Sequence, residues 1–587
     1  MDNQSSTREQ LPTRVEAAVF GVKASLLRLK RTLTDALYRD VKRWRAGRGR
    51  ESHGALVHLW SESVSTLDAS GGSEQRALVL GKIENLRVAL RSIDGVQVPA
   101  GGLFSFWAQV GRARRWRGYV PGRELREGCI IAAIGGGLCQ LSNALYQAAL
   151  DAGLTIVERH AHSQVIPGSA AQANRDATVF WNYIDLRFSA DEPFRMEAEL
   201  DAGRLKVRIF KAHARAPVRA AATSTIVFAK GAAASARSCH SCGESACFRR
   251  VNAPATLALR SVFMVDALWP EFDAWIAATR LPGDCLMLPV DGRARGKAQY
   301  GWSTEGFARV ATFPLLVLWR AFASRRLATQ GAARQASAHR FRRRLAKAYV
   351  KTLGYMDEHV VVTQELLPYV WQLGALQGRS FDVLMTGLPM VQLQAVLDEA
   401  YGRHPHSKTL ADFRAPAGLA ELERLALARA RTVVTPHAQV AALFANARLL
   451  EWAPAAACAP RKGTKIAYPA ATLGRKGAYE LRAAARELGL TLTLMGPVLE
   501  APGFWDGVAV ERSDDARGLD DVAVMVLPAW IASRPGLLLQ ALASGIAVIA
   551  TSACGLPPQA NLTLVPVGDV AALTDALRPF GPRNVKA

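Results

Sequence analysis

The sequence predicts a multidomain protein in which an α+β domain and a cysteine-rich loop precede α/β domains built on parallel sheets. Three observations predict this. The chain has 587 residues, of which 50% are apolar, too many for one hydrophobic core and too apolar for a disordered chain. Near residue 138 a glycine run opens a helical pattern that gives way to extended segments. From about residue 355 short apolar runs such as HVVVTQ, FDVLMTG and RTVVTPHA alternate with helical sequence, the signature of parallel strands covered by helices.

Residues 1–84 are expected to form a basic helical region. Within 14–46, Val15, Val19, Val22, Leu26 and Leu29 stand among Lys23, Arg28, Lys30 and Arg31, an amphipathic basic pattern. The polar start MDNQSSTREQ, with no uninterrupted apolar core and no A-x-A site after it, argues against a signal peptide. The nearest approach to a spanning segment, VATFPLLVLWRAFA at 310–323, is short and is broken by Pro314 and Arg320. The expectation is a cytoplasmic protein, with peripheral attachment to the inner face of the membrane open through such helices.

Residues 85–215 hold the most informative stretch, GGGLCQLSNALYQAALDAG followed by IVERHAHSQVIPG. Gly135, Gly136 and Gly137 allow a sharp turn, and the helix predicted over about 138–152 points its positive end at Cys139, which favours the thiolate. His160 and His162 lie two apart and share a face of the next extended segment. Asp176 follows, so the order is nucleophile, base, orienter. In this reading Cys139 attacks, His162 or His160 takes the proton, and Asp176 or Asp185 holds the imidazole. The glycine-turn amides face the oxyanion, and acyl transfer or thiol-dependent cleavage is expected. The alternative is that Cys139 is a small hydrophobe packed under the helix.

The run from GGLFSFWAQVGRARRWRGYVPG through GGGLCQLSNALYQAALDAG to RDATVFWNYIDLRF resembles the VanW family over about 85–215. Gly102, Phe104, Gly111, Cys139, Gln140, Ser142, His160, His162 and Asp176 fall in its pattern. The resemblance implies a connection to cell-envelope or glycan chemistry and supplies no reaction for Cys139. The order of thiol, imidazole and carboxylate is also similar to that of papain-like and transglutaminase-like enzymes.

Residues 216–324 are expected to form a cysteine-cluster and connecting domain. Cys239, Cys242 and Cys247 make a C-x2-C-x4-C run in SCHSCGESACFRR. Soft thiolates from one tight loop suit Zn²⁺ or an iron–sulfur cluster. A fourth ligand is needed for either; Cys285 is the remote candidate and His240 the local one. A reduced thiol cluster, or a redox pair at Cys239 and Cys242, is the alternative. Further on, RSVFMVDALWPEFDAWI joins a buried-strand pattern to Trp269, Phe272 and Trp275 among Asp266, Glu271 and Asp273. Such a mixture closes over a sugar or fills a core.

Residues 325–354 read as a basic helical linker: 325–351 contain nine Arg or Lys and no acid, within a net charge of +23. Such a block meets anionic lipid or nucleic acid, or stays solvated. Neither an RNA-binding aromatic pattern nor zinc-finger spacing accompanies it, so an anionic membrane surface ranks above nucleic acid as a partner.

Residues 355–450 and 460–587 follow as two α/β units. In the second, KIAYPA, LTLTLMG, DDVAVMVLPA and AVIATSA alternate with helices such as GAYELRAAARELG, and ligands of open α/β sheets sit outside the carboxyl ends of the strands. PAATLGRKG at 469–477, LTLMGP at 492–497 and LPAWIASRPGLLLQALASGIAVIATSACGLP at 527–557 are similar to GT-B glycosyltransferases of the retaining, nucleotide-sugar-using kind. The resemblance implies a nucleotide-sugar donor, phosphate contacts from Arg475 and Lys476, and diphosphate at the helix start near Gly536. The chain departs from the family where two acids are usual: Ala532 and Gln540 stand there, the ribose-holding acid is missing, and Arg534 is nearby. His437, just after a strand end in VTPHAQV, is a polar candidate for the cleft.

The expected function is an envelope-glycan or glycoconjugate-modifying enzyme that joins a thiol site to a GT-B-like half. The alternatives are a nucleotide-sugar-dependent glycosyltransferase and a non-catalytic, metal-stabilised glycan-binding scaffold.

Overall fold

The structure, a computed structural model, describes residues 14–37, 41–45, 56–67, 76–126, 129–161, 175–182, 184–201, 203–213, 260–327, 331–411, 414–455, 463–513, 519 and 521–581. It divides into two compact units. One comprises Met1–Leu259 with Gly354–Glu358 and Gln377–Arg379; the other comprises Arg260–Leu353, His359–Leu376 and Ser380–Ala587.

The first unit is α+β. Strands His58–Thr66, Arg204–Lys211, Phe194–Asp201 and Val96–Val98 form an antiparallel sheet in that order. Strict alternation sends Met196, Ala198 and Leu200 to one buried face, opposite Ile209, Val207 and Leu205 of the neighbouring strand. Helix Leu138–Asp151 lays Leu141, Leu145 and Ala148 into the same core, and the Ser61 hydroxyl donates to the Ala148 carbonyl at 2.7 Å. A second antiparallel sheet, Leu103–Ser105, Arg187–Ser189 and Thr155–Glu158, and a hairpin of Pro121–Arg126 with Cys129–Ile134 complete the unit's sheets.

The amphipathic helix spans Arg14–Leu37, and its polar side meets the protein. Arg28 Nε donates to the Trp181 carbonyl at 3.1 Å, Asn182 donates to Thr32 Oγ1 at 3.2 Å, and Arg187 pairs with Asp35 at 2.8 Å. Val22, Leu26, Leu29 and Leu33 face outward.

The second unit holds two parallel sheets. One runs Arg309–Thr312, Cys285–Leu288, Arg260–Met264, Asp357–Thr363, Ser380–Leu384, Thr432–Thr435, Ala447–Leu449, and all its described registers are parallel. The other runs Ala509–Arg512, Thr491–Leu494, Lys465–Tyr468, Val522–Leu527, Ala547–Thr551, Leu562–Val565, parallel throughout. In each, the first strand in sequence lies inside the sheet and the order reverses beside it, the doubly wound topology that leaves a crevice at the switch point. The first sheet draws three strands from residues 260–312, well before the start at 355 expected from the pattern. Cys285–Leu288 is buried at all four positions and so lacks alternation, while Arg309–Thr312 is a largely exposed edge strand.

Polar contacts join the two sheets' domains within this unit. His404 Nε2 meets Glu480 Oε1 at 3.0 Å, Thr409 donates to Glu500 at 2.5 Å, and Arg403 donates to the Gly568 carbonyl at 2.9 Å. Among the described residues, no helix is long and apolar enough to cross a membrane.

Candidate functional site

Cys139 is the second residue of helix Leu138–Asp151 and is half-buried. Gly137 caps that helix with φ 101°, and a Cβ there would lie 2.4 Å from Lys82 Cγ, so the turn requires glycine. The sulfur lies 3.8 Å from Thr178 Oγ1 and 3.9 Å from the Val179 carbonyl. Thr178 links it to the histidine segment, because its amide donates to the His160 carbonyl at 2.8 Å.

The carboxylate that meets His160 is Glu158, 3.2 Å from Nε2. Asp176 instead engages Arg159: Arg159 Nη2 donates to Oδ1 at 2.8 Å and Nε to the Asp176 carbonyl at 2.7 Å, both residues being buried. Glu158 is thus a carboxylate within reach of His160, and Arg159 is a partner of Asp176. Burial opposes ionisation of Glu158, but hydrogen bonds from His160 and Arg31 and the charges of Arg31 and Arg187 outweigh it and hold the carboxyl below its ordinary range. Asp185 accepts from Ser105 Oγ at 2.6 Å, the Trp107 amide at 3.1 Å and Arg187 Nε at 2.9 Å. Burial still raises its carboxyl. Sequence reasoning passed over Glu158, although its spacing of two from His160 on a strand was a usable signal. His162, Cys239, Cys242 and Cys247 lie outside the described residues.

In the second unit, a pocket of about 400 Å³ opens between the two sheet domains. Leu268 and Glu271 come to it from beyond strand Arg260–Met264, Trp452 and Ala453 from beyond Ala447–Leu449, and Arg534 and Gly536 from beyond Val522–Leu527. Every one of these segments follows the carboxyl end of a parallel strand. Arg534 lies 4.6 Å over the Trp269 ring and donates to the Leu268 carbonyl at 3.2 Å. Gly536 begins helix Gly536–Ala543. Glu271 is 8% exposed; its Oε1 accepts the Ala453 amide at 3.1 Å, while buried Oε2 has no hydrogen-bond partner among the described residues.

Arg475 and Lys476 occupy the turn Gly474–Lys476 after strand Lys465–Tyr468. Gly477 closes it at φ 75°, where a Cβ would lie 1.9 Å from the Pro528 carbonyl oxygen. Lys476 Nζ donates to the Ile531 carbonyl at 3.0 Å, and burial pulls its ammonium down to about 8. Burial lowers Arg475 as well. His437 is buried: its Nε2 lies 3.0 Å from the Ala532 carbonyl and 3.2 Å from that of Ala553, and its Nδ1 accepts the Val440 amide. It caps a helix and ties segments together. At the first sheet's switch point, burial and the Glu365 charge push Asp266 up to about 6. Cys285 lies in the strand core, where Arg309 Nε donates to its sulfur at 3.2 Å. Among the described residues, no group of three or more His, Cys, Asp or Glu is arranged to hold a metal ion.

The second unit is thus an α/β fold of two doubly wound parallel sheets with a pocket at the carboxyl ends of their strands, and the same chain carries an α+β unit. Residues 81–210 of that α+β unit match the family model described as VanW like protein, so the unit carries a VanW-type domain. The chain is 32% identical over 157 residues to uncharacterized protein YoaR of Bacillus subtilis (strain 168), covering 26% of this chain and 50% of that one. It is 32% identical over 136 residues to vancomycin B-type resistance protein VanW of Enterococcus faecalis (strain ATCC 700802 / V583), covering 22% of this chain and 49% of that one. The chain thus spans about half the length of the curated relatives it matches. Among solved structures, the lipopolysaccharide outer core galactosyltransferase WaaB matches at 11% identity and a TM-score of 0.32, covering 55% of this chain and 90% of that one. Trehalose-6-phosphate synthase OtsA matches at 11% identity and a TM-score of 0.33 with the same coverage.

Proposed function

We propose that the protein acts on an envelope glycan or its precursor and that its GT-B-type unit binds a nucleotide-sugar donor in the pocket between its two sheet domains. The observation that carries this reading is the pocket's polar lining: a guanidinium at Arg534, a helix start at Gly536 and an unpartnered carboxylate oxygen at Glu271. A diphosphate suits the first two. The third accepts ligand hydroxyls. Glu271 thereby stands in for the acid absent at Gln540, arriving from the other sheet domain. Trp452 offers an aromatic face to a base or sugar. The VanW-type domain supports the envelope side of the reading.

Nucleotide sugars offered with envelope-glycan acceptors to wild type, Arg534→Ala, Glu271→Gln and Cys139→Ala test it. Turnover lost in the two pocket variants and kept in Cys139→Ala is the expected result. Absence of both turnover and donor binding across uridine, guanosine and thymidine diphosphosugars contradicts it.

Thiol-dependent acyl transfer at Cys139 is a second proposal, supported by the sulfur's place at a glycine-capped helix start beside Thr178. Its test is the pH profile of alkylation: a thiolate population well below the ordinary cysteine range supports it, and an inert thiol sinks it. A metal at Cys239, Cys242 and Cys247 rests on the spacing of those thiols alone, and elemental analysis for iron and zinc after anaerobic purification decides it.

A further inference from the structure

Helix Pro314–Ser324 turns Leu316, Val317 and Trp319 toward the core of the second unit. On its other side Leu315, Leu318 and Phe322 are 78%, 63% and 74% exposed. Spaced by three and four, they make one apolar stripe along the helix. The chain continues through exposed Arg325 and Arg326 to helix Ala332–Thr352, which packs against the first and exposes Arg340, Arg343, Lys347 and Lys351.

Residues 313–352 hold ten Arg or Lys and no Asp or Glu. Several of these cations have duties in the fold: Arg320 donates to the Tyr300 hydroxyl at 2.8 Å, Arg342 pairs with Glu365 at 2.8 Å, and Arg344 lies 3.9 Å over the Trp319 ring. The exposed ones border an apolar stripe that is left exposed among the described residues. A second copy of the chain would bring two strongly basic surfaces together. A nucleic acid would answer the charge and offer nothing to Leu315, Leu318 and Phe322. An anionic bilayer answers both, since an in-plane helix buries its apolar side at the acyl boundary while nearby cations meet headgroups.

We propose that helix Pro314–Ser324 lies in the interface of an anionic phospholipid bilayer, with Leu315, Leu318 and Phe322 in the acyl region and the exposed cations of 325–351 at the headgroups. This surface is independent of the pocket and of what the pocket binds.

The test is co-sedimentation of the full chain with sucrose-loaded vesicles of phosphatidylcholine alone or with about one-third phosphatidylglycerol, enough to set a surface potential. The expected result is binding to the anionic vesicles that weakens as salt rises and falls at least about tenfold in Leu318→Asp/Phe322→Asp. Arg325→Glu/Arg326→Glu should weaken it too. Both pairs are exposed, so unchanged circular dichroism and melting confirm an intact fold. Three outcomes overturn the proposal: equal binding to both vesicle types, full binding by the stripe variant, or a wild-type oligomer that the stripe variant dissociates while vesicle binding is untouched. Salt-sensitive binding to duplex DNA with none to vesicles also overturns it.

Discussion

Replacing Asp176 by Asn separates a structural carboxylate from a catalytic one. Arg159 and Asp176 are 2% and 1% exposed, and their 2.8 Å ion pair lies under Tyr146, whose ring is 5.2 Å from the guanidinium. Breaking a buried ion pair by removing one of its charges costs about 3–5 kcal/mol. The Nε bond to the Asp176 carbonyl survives the substitution, so the lower end, about 3 kcal/mol, is expected. For a domain of this size that is a fall in melting temperature of about 10 °C. Calorimetry of the full chain reads it directly, as a downward shift of one transition with the other unmoved. Cys139→Ser is the contrast, because it changes one atom of a half-buried side chain whose contacts with Thr178 and Val179 are long; it should cost under about 1 kcal/mol. An Asp176→Asn protein that melts like wild type but loses Cys139 reactivity would refute the argument and return Asp176 to the role of orienter.

Two carboxyl shifts predict opposite limbs of the pH–stability curve. Burial pushes Glu423 up to about 7 despite bonds from Met390 and Gln364, so its contribution is full below about pH 4.5 and is lost as pH rises through 7. Unfolding in urea should show stability falling over that window, by about 3 kcal/mol at most, and a slope unchanged in Glu423→Gln would sink the assignment. Asp382, held down to about 2 against its burial by His359 and Arg431, contributes stability present above about pH 4 and lost as pH falls toward 2. Arg431→Ala should therefore move the acid midpoint upward, and an unmoved midpoint contradicts it. Gly477→Ala forces a side chain into the Pro528 carbonyl in a left-handed turn; a loss well beyond the roughly 1 kcal/mol of a simple glycine replacement is expected in thermal melts.

Helix Leu138–Asp151 was legible almost to its last residue, because glycines mark its start and its apolar spacing holds throughout. The parallel α/β alternation of residues 465–565 was likewise readable from runs such as DDVAVMVLPA, while the order of its strands was not. Strand Cys285–Leu288 was not, since a strand buried on both faces carries no alternation to distinguish it from a short helix. The helix Arg14–Leu37 was legible from its apolar spacing, but its packing was not: amphipathicity says which side is apolar, while the domain took the polar side through Arg28, Thr32 and Asp35. In the candidate sites, sequence singled out Arg534, which lines the pocket, and Cys139, which is the second residue of its helix. It missed Glu158 and the pairing of Asp176 with Arg159, because a carboxylate's partner is set by tertiary packing. The aromatic and acidic mixture around Trp269 turned out to divide its labour, with Phe272 in the core and Glu271 in the pocket.

The central claim is that the pocket lined by Glu271, Trp452 and Arg534 holds a nucleotide sugar. Calorimetric titration of uridine diphosphate and its sugars into wild type, Arg534→Ala, Glu271→Gln and Cys139→Ser tests it most directly. The account predicts one site per chain, affinity reduced at least about tenfold by Arg534→Ala, as for loss of a hydrogen bond to a charged group, and a smaller loss in Glu271→Gln that grows when the ligand carries its sugar. Cys139→Ser should bind like wild type. Binding of equal strength in all four proteins would contradict the claim.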